Sequence, residues 1–393
     1  MVATSPAAPP PTAQTVPHRK LLPVQWWAGF GAAMFLFVTY LMVRWVTGPN
    51  FARVPVGPSE PPAAMKAVLD TGQILLSITA LATVYWFLIR PWRQGRGLTT
   101  DGVLVLCFAS VWWIDPVGNY FGHWIVYNSY LPNRGSWVAE VPGWNSFAAP
   151  GATTVEPFPF LPGMYITLFF LMTVLVSKIM GWMRRRWPHW SSTRIVLTAF
   201  VAGFVLDIPI EAFGFMPLGF WEFPGAGQHL VIFPDSYHSF PLHLAALASA
   251  LWTGFGALRF FRNDRGETVA ERGLSELKLG IGRQNLVRYL AMFGAANAVM
   301  LGYVLPATIF IGSHASEWPA DLQQRSYFLD GVCGAGTDRI CPTDGMPNPR
   351  GNESIPRTAP DGTLQLPAGR IVHQVPVIEG PTGGPFTGPI FRF

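Results

Sequence analysis

The chain has 393 residues, half of them hydrophobic and only 12% charged, with a net charge of +5 and a mean hydropathy of +0.29. That balance excludes an ordinary soluble multidomain protein, because apolar runs of about 20 residues recur, each able to cross a hydrocarbon core of about 30 Å. The positive charge needs no nucleic-acid partner, since Lys and Arg gather in alternate loops, where they act as a topology signal.

Residues 1–20, rich in Pro, Ala and Thr and ending in His18-Arg19-Lys20, are expected to be a disordered lead. The first apolar run, about Trp26–Val46, reads as a membrane span and not as a cleavable signal peptide. A Pro-rich loop leads to a second span near Ala64–Ile89, which carries Asp70 and Gln73 and is followed by Arg90, Arg93 and Arg96. The third span, about Gly102–Tyr127, contains Trp113, Asp115, Asn119, Tyr120 and His123. Asp115, Asn119 and His123 are spaced i, i+4, i+8, which predicts a polar stripe on one helical face. Ionisable groups in an apolar span are expensive in lipid and point to function.

A polar, aromatic outer loop over 128–160 contains Trp137, Glu140, Trp144 and Glu156. Span four, about Pro162–Met183, ends in Arg184-Arg185-Arg186, and span five, about Ser192–Phe213, carries Asp207-Ile208-Pro209-Ile210-Glu211. Span six, about Ser236–Phe261, has His238 and His243 near its start; span seven, about Leu286–Ile311, carries Asn297 and Tyr303. The chain is thus expected to be an all-α polytopic membrane protein, with a seven-helix transmembrane domain over 21–312. The rest, 313–393, holds 11 Pro and 11 Gly in 81 residues and reads as an irregular tail. Seventeen Lys and Arg fall on the side of the N-terminus and four on the other before the tail. This predicts a multi-pass protein of the cell membrane with a cytoplasmic N-terminus and an extracytoplasmic tail. There a disulfide between Cys333 and Cys341 could persist.

At about 1.5 Å of rise per residue, Asp70, Asp115, Asp207, His243 and Asn297 fall into one layer of the outer half of the bilayer. Pro116 and Pro209 each break a span beside an acid, which is tolerated where neighbours or a wet cavity satisfy the freed backbone. The expected catalytic group is Asp115 with Asp207 or Glu211 as acid and base and His243 as proton partner. Asn119, His123, Asp70, Gln73, Asn297, Trp113 and Tyr120 are the expected substrate contacts. The bland alternatives are interhelical hydrogen bonds for the amides, interfacial solvation for the histidines and a membrane belt for the aromatics. A metal is not expected, because no paired-histidine or Glu-x-x-His spacing occurs, and no nucleotide or flavin fingerprint is present. Paired carboxylates suit acid/base chemistry on an apolar oxygenated molecule.

Trp113-Ile114-Asp115-Pro116 with Asn119-Tyr120, Tyr127-Asn128, Gly135-Ser136-Trp137 and Tyr327-Phe328-Leu329-Asp330-Gly331-Val332-Cys333-Gly334 resemble the actinobacterial AveC-like spirocyclase family over roughly residues 25–345. The resemblance implies a membrane-associated cyclase or dehydratase of polyketide secondary metabolism, closing a spiroketal on an apolar polyketide- or lipid-like substrate; from the sequence itself, no nucleotide or flavin cofactor is indicated. The competing readings are a lipid-binding or proton-coupled transport protein, weakened by the lack of an inverted repeat, and a scaffold presenting the tail.

Overall fold

The computed structural model describes residues 21–120, 122–143, 154–227, 229–311 and 317–341, with strand residues 357–358, 364–365 and 391–392. The expected lead over 1–20, Trp144 and most of the chain after 341 lie outside the described residues. Among the described residues, seven long helices occur at the seven apolar runs: α1 Pro23–Thr47, α2 Ala63–Arg93, α3 Thr100–Asn119, α4 Phe160–Arg186, α5 Ser192–Phe215, α6 Leu242–Phe260 and α7 Ile281–Phe310. All except α6 are long and apolar enough to cross a membrane.

Local chemistry sets the helix ends. Thr99 and Ser191 cap α3 and α5 by accepting the N–H groups of Gly102 and Arg194. Pro23 stands in the first turn of α1, while Gly95 and Gly97 stop α2 with φ of +73° and +67°. Small residues allow α1 and α7 to touch: a Cβ on Gly31 would lie 1.8 Å from the Leu290 carbonyl oxygen, and one on Gly294 would lie 2.4 Å from that of Trp27.

The two ends of the bundle differ. At one, Arg259 forks onto Asp101 at 2.9 and 3.0 Å, and Arg288 binds Glu271, the Leu98 carbonyl and Thr100. The other end is a cap made from the loops after α1, α3 and α5 and from residues 317–341. Asn133 ties Val54 into it at 2.8 Å, the Ser129 N–H donates to the Tyr327 carbonyl at 2.8 Å, and Asp321 accepts the Tyr237 N–H at 3.2 Å. Strand β1, Val126–Tyr127, pairs antiparallel with β2, Trp221–Glu222; β3, Val231–Ile232, lies between β4, Phe240–Pro241, and Phe391–Arg392.

Two boundaries differ from the sequence reading. Span three ends at Asn119 rather than Tyr127, because Pro116 lacks an N–H and the helix tightens to a 3-10 coil over Trp112–Asn119. Span six begins at Leu242, since Phe240–Pro241 is committed to β4. The described part of the expected tail, 317–341, is packed: Trp318, Leu322, Tyr327, Phe328, Leu329 and Val332 form a buried cluster stapled by the Cys333–Cys341 disulfide.

Candidate active site

Asp115 stands in the 3-10 coil that closes α3. Its two carboxylate oxygens each accept one phenolic hydroxyl, from Tyr127 and from Tyr165, both at 2.8 Å. Tyr127 comes from β1, and Tyr165 opens a π-helical turn, Tyr165–Phe169, within α4. Burial, then the charge of Asp115, holds the Tyr127 hydroxyl well above the ordinary tyrosine range, so it remains a donor.

A second pair of acids lies on α5. The Asp207 Oδ1 accepts the Trp252 indole N–H of α6 at 3.1 Å, and its Oδ2 has no partner among the described residues. Glu211 opens another π-helical turn, Glu211–Phe215, just after Pro209, and is hydrogen-bonded by Trp221 of β2. Such turns recur at functional sites. The charges of Asp115 and Asp207 both act on Glu211, and all three act on Tyr303 of α7. Groups from α3, α4, α5, α6 and α7 therefore converge.

The short ladder above explains the alignment. Tyr127 and Trp221 are direct cross-strand partners, so their side chains share a face, one reaching Asp115 and the other Glu211. Val126 and Glu222 take the opposite face, and the Glu222 carboxyl is fully buried in the cap. Asp115 and Glu211 are half-buried as residues, while Tyr127, Tyr165 and Asp207 are buried. Two half-buried acids thus stand beside fixed donors.

Cap residues extend the group. Glu156 lies in the buried stretch Thr154–Pro157, accepts a hydrogen bond from Ser136, and feels the charges of Asp115 and Asp330. Asp330 binds His123 Nε2 at 3.2 Å and the Val155 N–H at 3.3 Å.

Other sequence-selected residues are distributed differently. Asp115, Asn119 and His123 do not form one stripe: a 3-10 coil has three residues per turn, so i and i+4 diverge by about a third of a turn, and His123 lies beyond the helix. Asn119 instead closes the turn by accepting the Trp124 and Ile125 N–H groups at 2.9 and 3.1 Å and donating to the Ile125 carbonyl. His243 is not joined to the carboxylates. Nine residues separate it from Trp252, about two and a half helical turns, which sends the two to opposite faces of α6. Its ring meets the Ala226 carbonyl in an apolar groove of about 650 Å³ lined by Phe200, Leu247 and Phe310. Asp70 and Gln73 bond each other at 3.3 Å, with Tyr130 donating to Asp70 at 3.0 Å, in a separate group on α2. Asn297 accepts the Trp113 indole N–H at 2.9 Å and ties the 3-10 coil to α7. Tyr120 donates to the Pro142 carbonyl. Among the described residues, no three His, Cys, Asp or Glu side chains are grouped to hold a metal ion.

Tyr127, Tyr165, Trp252 and Glu156 escaped selection as site residues. The usable signal is the need of a deep carboxylate for donors, with Tyr127 and Tyr165 standing at the ends of apolar runs and Tyr165 following Pro162-Gly163.

The Spirocyclase AveC-like family model matches residues 95–328, which contain Asp115, Tyr127, Glu156, Tyr165, Asp207, Glu211 and Tyr303. No curated protein and no solved structure matches the chain.

Proposed function

Because the chain belongs to the AveC-like spirocyclase family, we propose that it is a multi-pass cell-membrane enzyme that closes a spiroketal on an apolar, polyketide- or lipid-like dihydroxy-ketone. The observation that carries the proposal is the Asp115 carboxylate held by two phenols beside Glu211 and Asp207. The Arg-rich end would face the cytoplasm and the cap the other side, following the charge bias of the loops.

The chemistry needs a proton donor and a proton acceptor on one substrate. One substrate hydroxyl attacks the ketone carbon; its proton passes to a carboxylate, and the carbonyl oxygen takes a proton from an acid, giving a hemiketal. A proton delivered to the hemiketal hydroxyl lets it leave as water. The second hydroxyl attacks the resulting oxocarbenium carbon and returns its proton to the carboxylate. Two C–O bonds form, the ketone C–O double bond is lost and one water is released. Carbon changes no oxidation level, so the reaction calls for no redox cofactor. Asp115 is the acceptor, oriented by Tyr127 and Tyr165; Glu211 and Asp207 supply the opposing acid group. Loss of water from the hemiketal is itself an acid-assisted dehydration, so the same acids would serve dehydration of a related alcohol.

Purified protein in micelles should convert a dihydroxy-ketone to a product one water lighter by mass spectrometry. Asp115→Asn should abolish turnover with its melting temperature retained. Proton-coupled flux in liposomes without product, or full turnover by Asp115→Asn, would overturn the proposal.

A further inference from the structure

We infer that Glu156 holds the proton of this site, as a neutral carboxylic acid enclosed between Asp115 and Asp330 and positioned through the His123–Asp330 pair. The inference rests on the cyclase reading for the use of that proton, and on the cap alone for its being held.

Glu156 sits where the 154–157 segment turns inward. Asn133 and Pro157 form a bridge, the Phe158 N–H donates to the Pro132 carbonyl, and Thr154, Val155 and Glu156 are each under 5% exposed. One carboxyl oxygen accepts from Ser136; the other, Oε2, is buried with no partner among the described residues. The charged groups acting on it are both carboxylates, Asp115 from the 3-10 coil and Asp330 from the cap. Among the described residues, the other titratable groups that act with it are the phenols Tyr127 on β1 and Tyr165 on α4 and the His123 imidazole, which pairs with Asp330. An anion there would combine desolvation, two like charges and an unsatisfied oxygen; each disfavours the charged form. Protonation removes the charge and turns one oxygen into a donor. Burial, then the charges of Asp115 and Asp330, accordingly push the Glu156 carboxyl well above its ordinary range.

Asp330 makes the arrangement specific. It is 1% exposed in a left-handed conformation, φ +52°, and its Oδ2 meets both His123, whose side chain is inaccessible, and the N–H of Val155. Val155 precedes Glu156, so the pair fixes the backbone that aims the carboxyl. Its Oδ1 has no partner among the described residues. Residues 317–341 thereby reach the chemistry of the bundle. In turnover, Glu211 and Asp207 protonate the substrate oxygen while Asp115 takes the proton of the attacking hydroxyl; Glu156 replenishes the spent acid group, and transfer from Asp115 to Glu156 restores both. The proton count is unchanged over a cycle.

Infrared difference spectra of the full chain in micelles, wild type against Glu156→Gln, test the inference. Gln mimics the neutral acid, so the fold and melting temperature should be retained. The carbonyl stretch of one protonated carboxylic acid should vanish at neutral pH. In Asp330→Asn, which removes one like charge, that band should be lost at a lower pH than in the wild type. Cyclisation by Glu156→Gln should fall by about 10²–10⁴-fold, with partial rescue in Glu156→Asp and a changed alkaline limb in the pH–rate profile. An unchanged band in a folded Glu156→Gln protein overturns the inference, as does loss of the band with full turnover. A wild type that shows the band but cyclises no dihydroxy-ketone sinks the cyclase reading and leaves the proton-holding role standing.

Discussion

Replacing Tyr165 or Tyr127 with Phe removes one hydroxyl from Asp115 and keeps the ring. Tyr165 is stacked on Phe169 with centroids 3.9 Å apart, and Tyr127 meets Trp221 edge-on at 6.3 Å, so packing is preserved in both variants. Each lost bond is a 2.8 Å contact to a carboxylate, and hydrogen bonds to charged groups contribute about 1.5–3 kcal/mol. If that orientation is spent on the reacting geometry, kcat/KM should fall about 10- to 100-fold per variant, since about 1.4 kcal/mol is tenfold. Both hydroxyls serve one carboxylate, so the double variant should depart from additivity. The assay is steady-state cyclisation in micelles at fixed pH beside thermal unfolding. Tyr130→Phe is the control: its hydroxyl donates to Asp70 at 3.0 Å, in the separate group on α2, and turnover should change less than about twofold. Wild-type kcat/KM in both Tyr127→Phe and Tyr165→Phe, with the fold intact, would refute the assignment of Asp115 as the oriented acceptor. Equal losses in all three variants would refute its localisation.

Three further outcomes test the frame around the site. Reducing the Cys333–Cys341 disulfide, or changing both residues to Ser, should loosen the cap: closing a loop eight residues apart stabilises by about 2.5 kcal/mol in the chain-entropy picture, read as a lower melting temperature. His238 is pushed down to about 4, chiefly by burial, so the folded state resists its protonation. Its stabilising contribution is therefore complete above the ordinary value of about 6.5 and is lost as pH falls from there towards 4; His238→Gln should flatten that limb of melting temperature against pH. Gly31→Ala should destabilise by at least about 1–3 kcal/mol, because its Cβ meets a backbone carbonyl that cannot rotate away. Gly29→Ala, with nothing within 4 Å, should be neutral or mildly stabilising in the same melt.

Hydropathy located the seven helices, with the end of α3 and the start of α6 the largest departures, because hydropathy depends on composition along the chain, which a sequence displays directly. The direction in which a side chain points depends on local helical period, and hydropathy is blind to that. The three-residue turn at Trp112–Asn119 and the π turns at Tyr165 and Glu211 have the same composition as an α-helix. The stripe through Asn119 and His123 consequently dissolved. Pro116 and Pro209 marked where the period would break, although not what would replace it. The composition of 313–393 hid residues 317–341 for a related reason: Pro and Gly averaged over 81 residues mask a local run of Trp318, Leu322, Tyr327, Phe328, Leu329 and Val332 that buries its own core.

Asp115 was legible by a different route, through cost. A carboxylate at that depth needs donors, and the helical stripe through it offers Asn119 and His123, which the structure uses for a turn and for Asp330. The donors had to come from elsewhere: a strand twelve residues on and a helix fifty residues on. Neither separation follows from helical spacing; both follow from the β1–β2 ladder and from the return of the chain into α4. The same reasoning reaches Glu156 and Asp330, a loop acid and a cap acid whose burial is set by tertiary packing. An acid in a span announces its need in sequence, whereas an acid in a loop does so only once the loop is seen to fold inward.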